Sequence, residues 1–192
     1  QDLAIMRIMP NMHVYSPCDP FELRSMMKQM AASSQPAYMQ LIRPKVDPIF
    51  DSETGFQPGK AHVLFDGDDV ALISTGYATH LAAAAARELA TKGIQVQLIH
   101  CPSIKPLDEE AIIAAAKRCG AVVTVENQNI LGGLGGAVCE VICEHHAVPV
   151  KRLGAQDQFG EVATEDYLLN KHRFSIKHIM EACEAMAGKV HA

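Results

Sequence analysis

The sequence predicts an α/β fold: a three-layer αβα domain with a mostly parallel sheet and one antiparallel edge strand, preceded by an incomplete α/β segment. Three observations predict it. From residue 61 onward, short apolar runs alternate with helix-length stretches. Asp66-Gly67 separates two apolar runs, 61–65 and 70–74, and that dipeptide is turn chemistry suited to a hairpin. Residues 1–43 offer only helix, strand, helix and strand, too little to cover both faces of a sheet without further sequence or another chain.

In order along the chain, residues from Asp2 open in a helical pattern, and 11–16 read as a short strand. Asp19-Pro20 is an N-cap with proline at the first helical position, and the helix it starts carries Phe21, Met26, Met27 and Met30, read as core filling. Residues 37–42 form a strand after Pro36, closing the first unit at 1–43. Residues 44–60, with Pro44, Pro48, Gly55, Pro58 and Gly59 among charges, are a linker, and the second domain covers 61–192. There, strand 61–65 is expected to pair antiparallel with strand 70–74. An alanine-rich helix over 78–92 stops at Gly93, and 94–99 alternates at period two. Asp108 caps a helix with Glu109 and Glu110 in its first turn, ending at Gly120. Strand 121–125, helix 137–145, strand 149–153 and helix 175–186 complete the chain.

Composition narrows the function. Hydrophobic residues make up 48% and charged residues 20%, the balance of a folded soluble chain. Lys and Arg number 17 against 22 Asp and Glu, so nucleic acid and anionic membrane are excluded as general partners. No apolar run is long enough to span a bilayer. The six cysteines form no C-x-x-C pair and read as reduced thiols of a cytoplasmic protein. The chain opens at Gln1 without an initiator Met or signal peptide, and upstream residues are expected.

Few residues suggest chemistry by themselves. Gly132-Gly133-Leu134-Gly135-Gly136 sits between a strand and a helix, where backbone N–H groups can cradle phosphate, but it has neither G-x-G-x-x-G nor P-loop spacing. A tight turn allowing close helix packing is the better reading. Asp66-Gly67-Asp68-Asp69 reads as a turn and not a metal motif. Cys139 and Cys143 share a helix face near His145 and His146, yet lack further ligands, so no metal site is assigned and core thiols are expected. His80 and His100 follow strand ends without an evident acid partner and read as structural. Arg43, at the carboxyl end of strand 37–42, can offer a planar fork to an anion or form a surface ion pair.

Taken together the motifs resemble one family. Gln1-Asp2-Leu3-Ala4-Ile5-Met6-Arg7-x-x-Pro10-Asn11 is similar to the stretch after the catalytic loop of the transketolase pyrimidine-binding domain. Ser103-Ile104-Lys105-Pro106-Leu107-Asp108-Glu109-Glu110, Val123-Thr124-Val125-Glu126-Asn127, Gly132-Gly133-Leu134-Gly135 and Leu153-Gly154-x-x-Asp157-x-Phe159-Gly160-Glu161 follow in family order. The resemblance covers essentially the whole chain and is greatest to the C-terminal section of a split, bacterial-type transketolase.

That resemblance implies a thiamine diphosphate and Mg²⁺ enzyme of pentose phosphate metabolism, moving a two-carbon ketol unit between phosphorylated sugars. It implies a homodimer assembled with an N-terminal, diphosphate-binding transketolase section. Residues 1–43 would end the pyrimidine-binding domain, and 61–192 would be the C-terminal domain that supports dimerisation. Arg43 alone matches a family functional position, the arginine on the substrate phosphate, although the Pro44-Lys45 that follows departs from the commonest pattern. The G-D-G…N motif and the carboxylate that activates the aminopyrimidine are absent from these residues. Hence no catalytic, cofactor-binding or metal residue is assigned here, and this stretch alone is expected to be inactive. Other readings are a non-catalytic dimerisation module, or part of a deoxyxylulose phosphate synthase or a 2-oxo-acid dehydrogenase beta subunit.

Overall fold

The structure, a computed structural model, describes residues 2–43, 45–52 and 55–190. The first segment contains α1 (Asp2–Ile8), β1 (His13–Tyr15), α2 (Pro20–Ala32) and β2 (Ala37–Met39), the expected order, with each strand only 3 residues long. β1 and β2 pair in parallel, His13 opposite Ala37. The other side of β1 is taken by β6 (Ser103–Lys105), antiparallel, so this small sheet runs β2-β1-β6. Sequence reasoning did not assign β6, because one apolar residue, Ile104, between polar neighbours carries no periodicity. Ile104 nevertheless packs with Leu3 and Val14, so the second domain supplies part of the cover that the first segment lacks.

The main sheet consists of β3 (His62–Phe65), β4 (Val70–Ser74), β5 (Val96–His100), β7 (Val122–Asn129) and β8 (Val150–Ala155), in the order β3-β5-β4-β7-β8. All its pairings are parallel except that of β3 with β5, so the antiparallel edge strand is as expected. The expected hairpin is not: β5 lies between β3 and β4. The Asp66–Asp69 turn crosses the start of β5, where Asp69 N–H donates to Gln95 O (3.1 Å) and Gln95 N–H donates to Asp69 Oδ2 (2.6 Å). Gly67 makes that crossing possible, since a Cβ there would lie 2.5 Å from the Gln95 carbonyl.

Helices cover both faces. α3 (Ala78–Thr91) and α7 (Ile176–Val190) pack on Leu72, Leu98, Val123 and Val125. The alanines of α3 are mostly buried, and their small side chains let the helix lie close to the sheet. α4 (Glu109–Cys119) and α5 (Leu134–His145) cover Ala71, Ile73, Ile99 and Val122. Asp108 caps α4 by accepting from Ala111 N–H (3.2 Å), and Gly120 ends it at φ 66°. α5 starts earlier than expected, inside the glycine cluster, and α6 (Glu165–Lys171) was not anticipated. No described helix is long and apolar enough to cross a membrane.

Candidate functional site

Asp19 organises the approach to Arg43. Its Oδ1 caps α2 by accepting from Glu22 N–H (2.8 Å), and its Oδ2 accepts from Ile49 N–H (2.9 Å) and Phe50 N–H (2.8 Å). One buried carboxylate thus fixes both the start of α2 and the chain beyond β2. Phe56 adds to this by packing edge-on against Tyr15, centroids 5.0 Å apart, so the proline-rich stretch is docked on the first segment.

β2 ends at Met39, short of Arg43, which lies exposed on a bend. Among the described residues Arg43 has no hydrogen bond or ion pair. Its neighbour Ile42 lines two recesses. One, of about 220 Å³, is bounded by Pro17, Leu23, Leu41 and Val46. The other, of about 260 Å³, is bounded by Tyr77, Asn127, Leu169 and Phe174. The backbone carrying Arg43 therefore runs between a recess of the first segment and one against the second domain.

Beneath this rim is a buried polar group that the sequence did not bring together. His100 Nε2 lies 2.9 Å from Glu22 Oε2, and neither side chain reaches solvent. The same oxygen accepts from Cys18 N–H (2.7 Å). His100 Nδ1 meets Thr79 Oγ1 at 2.8 Å, and Ser74 Oγ–H donates to Thr79 Oγ1 (3.0 Å). With Thr79 accepting from Ser74, its own proton points at Nδ1, which leaves the Nε2 proton for Glu22. Burial alone would raise the Glu22 carboxyl, but His100, the Cys18 N–H and His62 outweigh it and hold the group below its ordinary range. Burial, with the Glu22 and Asp19 charges, pushes the Cys18 thiol far up. His100 thus has an acid partner after all, one that lies 78 positions away. The Asp19-Pro20-Phe21-Glu22 capping spacing was the local signal that could have drawn attention to Glu22.

The glycine cluster also has an occupant. Glu126, at the buried end of β7's apolar run, accepts from Leu134 N–H (2.9 Å) and Gly135 N–H (2.8 Å). A Cβ on Gly133 would sit 1.8 Å from Glu126 Oε2. Burial raises the Glu126 carboxyl, offset in part by those two N–H groups and by Arg152 and Arg7. The helix N-terminus that could have held a phosphate holds the protein's own carboxylate. The described residues therefore do not fit a diphosphate at this position.

Other expectations resolve simply. His80, expected to be structural, has its Nε2 2.8 Å from Cys18 O. Of the Met group, Met26 is buried, while Met27 is exposed on the outer face of α2. Cys143 is exposed and Cys139 half-buried, so this pair is not the core pair expected; their i, i+4 face points away from the sheet. Phe159, within the resembling motif, is 92% exposed.

Comparison with known proteins agrees with this architecture. The family model described as "Transketolase, C-terminal domain" matches residues 59–179. A 6-deoxy-6-sulfo-D-fructose transketolase subunit of Clostridium sp. (strain MSTE9) is 41% identical over 98% of this chain and 59% of its own length. A putative transketolase C-terminal section of Methanocaldococcus jannaschii is 36% identical over 94% of this chain and 58% of its own. A solved structure described as a split gene transketolase, inactive beta4 tetramer, superposes with a TM-score of 0.94 at 37% identity, over 97% of this chain and 61% of that one. The chain thus spans somewhat more than half the length of these relatives.

Proposed function

Since the chain belongs to the transketolase C-terminal domain family, we propose that it is the C-terminal section of a thiamine diphosphate-dependent transketolase. In this reading it takes part in moving a two-carbon ketol unit between sugar phosphates, once assembled as a homodimer with a diphosphate-binding partner subunit. Relatives named as a subunit and as a C-terminal section support a divided enzyme. The cofactor and its Mg²⁺ are held by polypeptide other than the residues described. The six free cysteines fit a cytoplasmic enzyme.

The observation that carries the reading at the level of residues is Arg43. It is exposed, follows Ile42, which lines two recesses, and has no partner among the described residues to neutralise it. Its role is to bind and orient the phosphate end of the sugar through paired N–H groups. In the assembled enzyme, Arg43→Ala is expected to raise KM for phosphorylated sugars by about 10- to 100-fold, the worth of a charged hydrogen bond of roughly 1.5–3 kcal/mol. Unphosphorylated substrates should change far less. Equal effects on both classes would remove Arg43 from the phosphate site. The 192 residues alone, mixed with thiamine diphosphate, Mg²⁺, ketose phosphate and aldose, are expected to show no turnover.

A further inference from the structure

The buried group under the rim has no part in the reading just given, and its composition is unusual. A Cys18 sulfur, a Glu22 oxygen and a His100 nitrogen all lie within 4.8 Å of one another, on three buried residues. His62 Nε2 stands 3.8 Å from Glu22 Oε1. That oxygen is shielded from water and has no hydrogen-bond partner, which is costly for a carboxylate. One thiol, one carboxylate and one imidazole therefore cluster in buried space, and a second imidazole, His62, stands beside the carboxylate's unsatisfied oxygen.

We propose that Cys18, Glu22, His62 and His100 form a four-ligand structural site for a zinc ion. The donor set decides the metal: sulfur and imidazole favour Zn²⁺, whereas Mg²⁺ and Ca²⁺ require oxygen throughout. The charges also balance, because a thiolate and a carboxylate neutralise a divalent cation while both imidazoles stay neutral. Four protein ligands leave no open position, which marks the site as structural and not catalytic.

The Cys18 S–H bond breaks, its proton leaves to solvent, and a sulfur–zinc bond forms. His100 gives up the Nε2 proton to coordinate through that nitrogen and carries a proton on Nδ1 instead. The hydroxyl chain then reverses. Nδ1–H donates to Thr79 Oγ1 (2.8 Å), Thr79 to Ser74 Oγ (3.0 Å), and Ser74 to Ile99 O (3.4 Å). Each ion bound therefore releases one proton. A ligating histidine whose second nitrogen donates to an oxygen is the usual outer shell of a zinc site. The Cys18 N–H on Glu22 Oε2 adds a second such contact. His62 is the entry side, with 28% of its side chain exposed, and the Phe50 ring lies edge-on to it at 5.1 Å. Because Cys18 and Glu22 come from the first segment, and His62 and His100 from the second domain, the ion would join the two.

The test uses the full-length chain, stripped with a chelator and titrated with Co²⁺ as a spectroscopic stand-in. The expected result is saturation at one Co²⁺ per chain, with a thiolate-to-cobalt charge-transfer band and visible bands of tetrahedral cobalt that Zn²⁺ bleaches. Calorimetry of Zn²⁺ binding in buffers of different ionisation enthalpy should give one proton released per ion. Cys18→Ser should abolish the charge-transfer band, and His62→Gln, at the rim, should weaken Zn²⁺ binding by about tenfold or more. Cys143→Ser should leave every signal unchanged. No stoichiometric band, a band that persists in Cys18→Ser, or one lost in Cys143→Ser would each overturn the proposal, the last by placing the metal on surface thiols. If Cys18→Ser does not fold, undiminished affinity in His62→Gln overturns it.

Discussion

Replacing Glu126 tests whether the glycine cluster exists to receive a carboxylate. In Glu126→Ala, Leu134 N–H and Gly135 N–H lose their acceptor in a buried position. Each orphaned N–H costs about 1–3 kcal/mol, and loss of a negative group at the N-terminus of α5 adds up to about 1 kcal/mol. Relief of the buried carboxylate offsets part of this, leaving an expected loss of about 3 kcal/mol, or roughly 6–12 °C in Tm for a chain of this size. Gly133→Ala should cost a similar amount for a different reason. Its Cβ would fall 1.8 Å from Glu126 Oε2 and 2.8 Å from Cδ, so the carboxylate must leave the cradle and give up both bonds. Once Glu126 is alanine that collision is gone, and the remaining cost of Gly133→Ala is a backbone one, about 1 kcal/mol or less. The double-mutant cycle, measured by urea denaturation of the full chain, should therefore show a coupling of about 2 kcal/mol or more. Inorganic phosphate should raise the Tm of Glu126→Ala more than that of the natural protein, since only the variant opens the helix terminus to an anion while Arg43 is common to both. Additive single effects, or equal phosphate stabilisation of the variant and the natural protein, would refute the carboxylate-cradle account.

Two more predictions follow from buried carboxylates. Because burial raises the Glu126 carboxyl above its unfolded value, its contribution is fully present below about pH 4 and is lost as pH rises through the folded value. The destabilisation caused by Glu126→Gln should therefore be largest in acid and shrink toward neutrality in denaturation series against pH; a difference that grows with pH would reverse the sign argued here. Asp19→Ala removes the acceptor of three backbone N–H groups and should cost about 2–4 kcal/mol, while hydrogen exchange at Ile49 and Phe50 speeds up. Unchanged exchange at those amides would show that other contacts hold the stretch.

What the sequence revealed and what it hid divide along range. Asp19, Asp108, Gly93 and Gly120 act within a few residues of themselves, so capping rules located α2, α3 and α4. The strand order was hidden because Asp66-Gly67 is compatible with a hairpin or with a turn around a third strand, and only the Asp69–Gln95 bonds decide between them. β6 was hidden because its partner, β1, lies some ninety positions earlier and its own residues lack alternation. The Glu22–His100 pair, 78 positions apart, was hidden for the same reason, whereas Glu126 and Gly135 are only 9 apart and were hidden because the loop between them could fold in several ways. A buried carboxylate is identified by what surrounds it in space, and the capping spacing at Asp19-Pro20-Phe21-Glu22 marks a helix start without naming the distant His100.

The first segment is docked across the carboxyl ends of the main-sheet strands. In open parallel sheets, ligands favour the crevice at the carboxyl ends of the strands. Here Gly76, just beyond β4, donates its N–H to Ser16 O (3.1 Å), and Ser16 donates its own to Pro102 O (2.9 Å), just beyond β5. Gly76 has φ 52°, and a Cβ on it would lie 2.1 Å from Ser16 Oγ, so the contact demands glycine there. His80 adds its bond to Cys18 O, and Arg7 reaches from α1 to Gly132 O (2.7 Å). Lys105 in turn donates to Arg7 O and Met9 O at the end of α1. The crevice that a lone α/β domain would offer to a ligand is thus partly filled by the chain's own first segment, leaving the recess beside Tyr77 and Asn127. The rim beyond β2, where Arg43 and Lys45 are exposed cations, stays open, and the docking contacts fix the first segment against the main-sheet part of the chain.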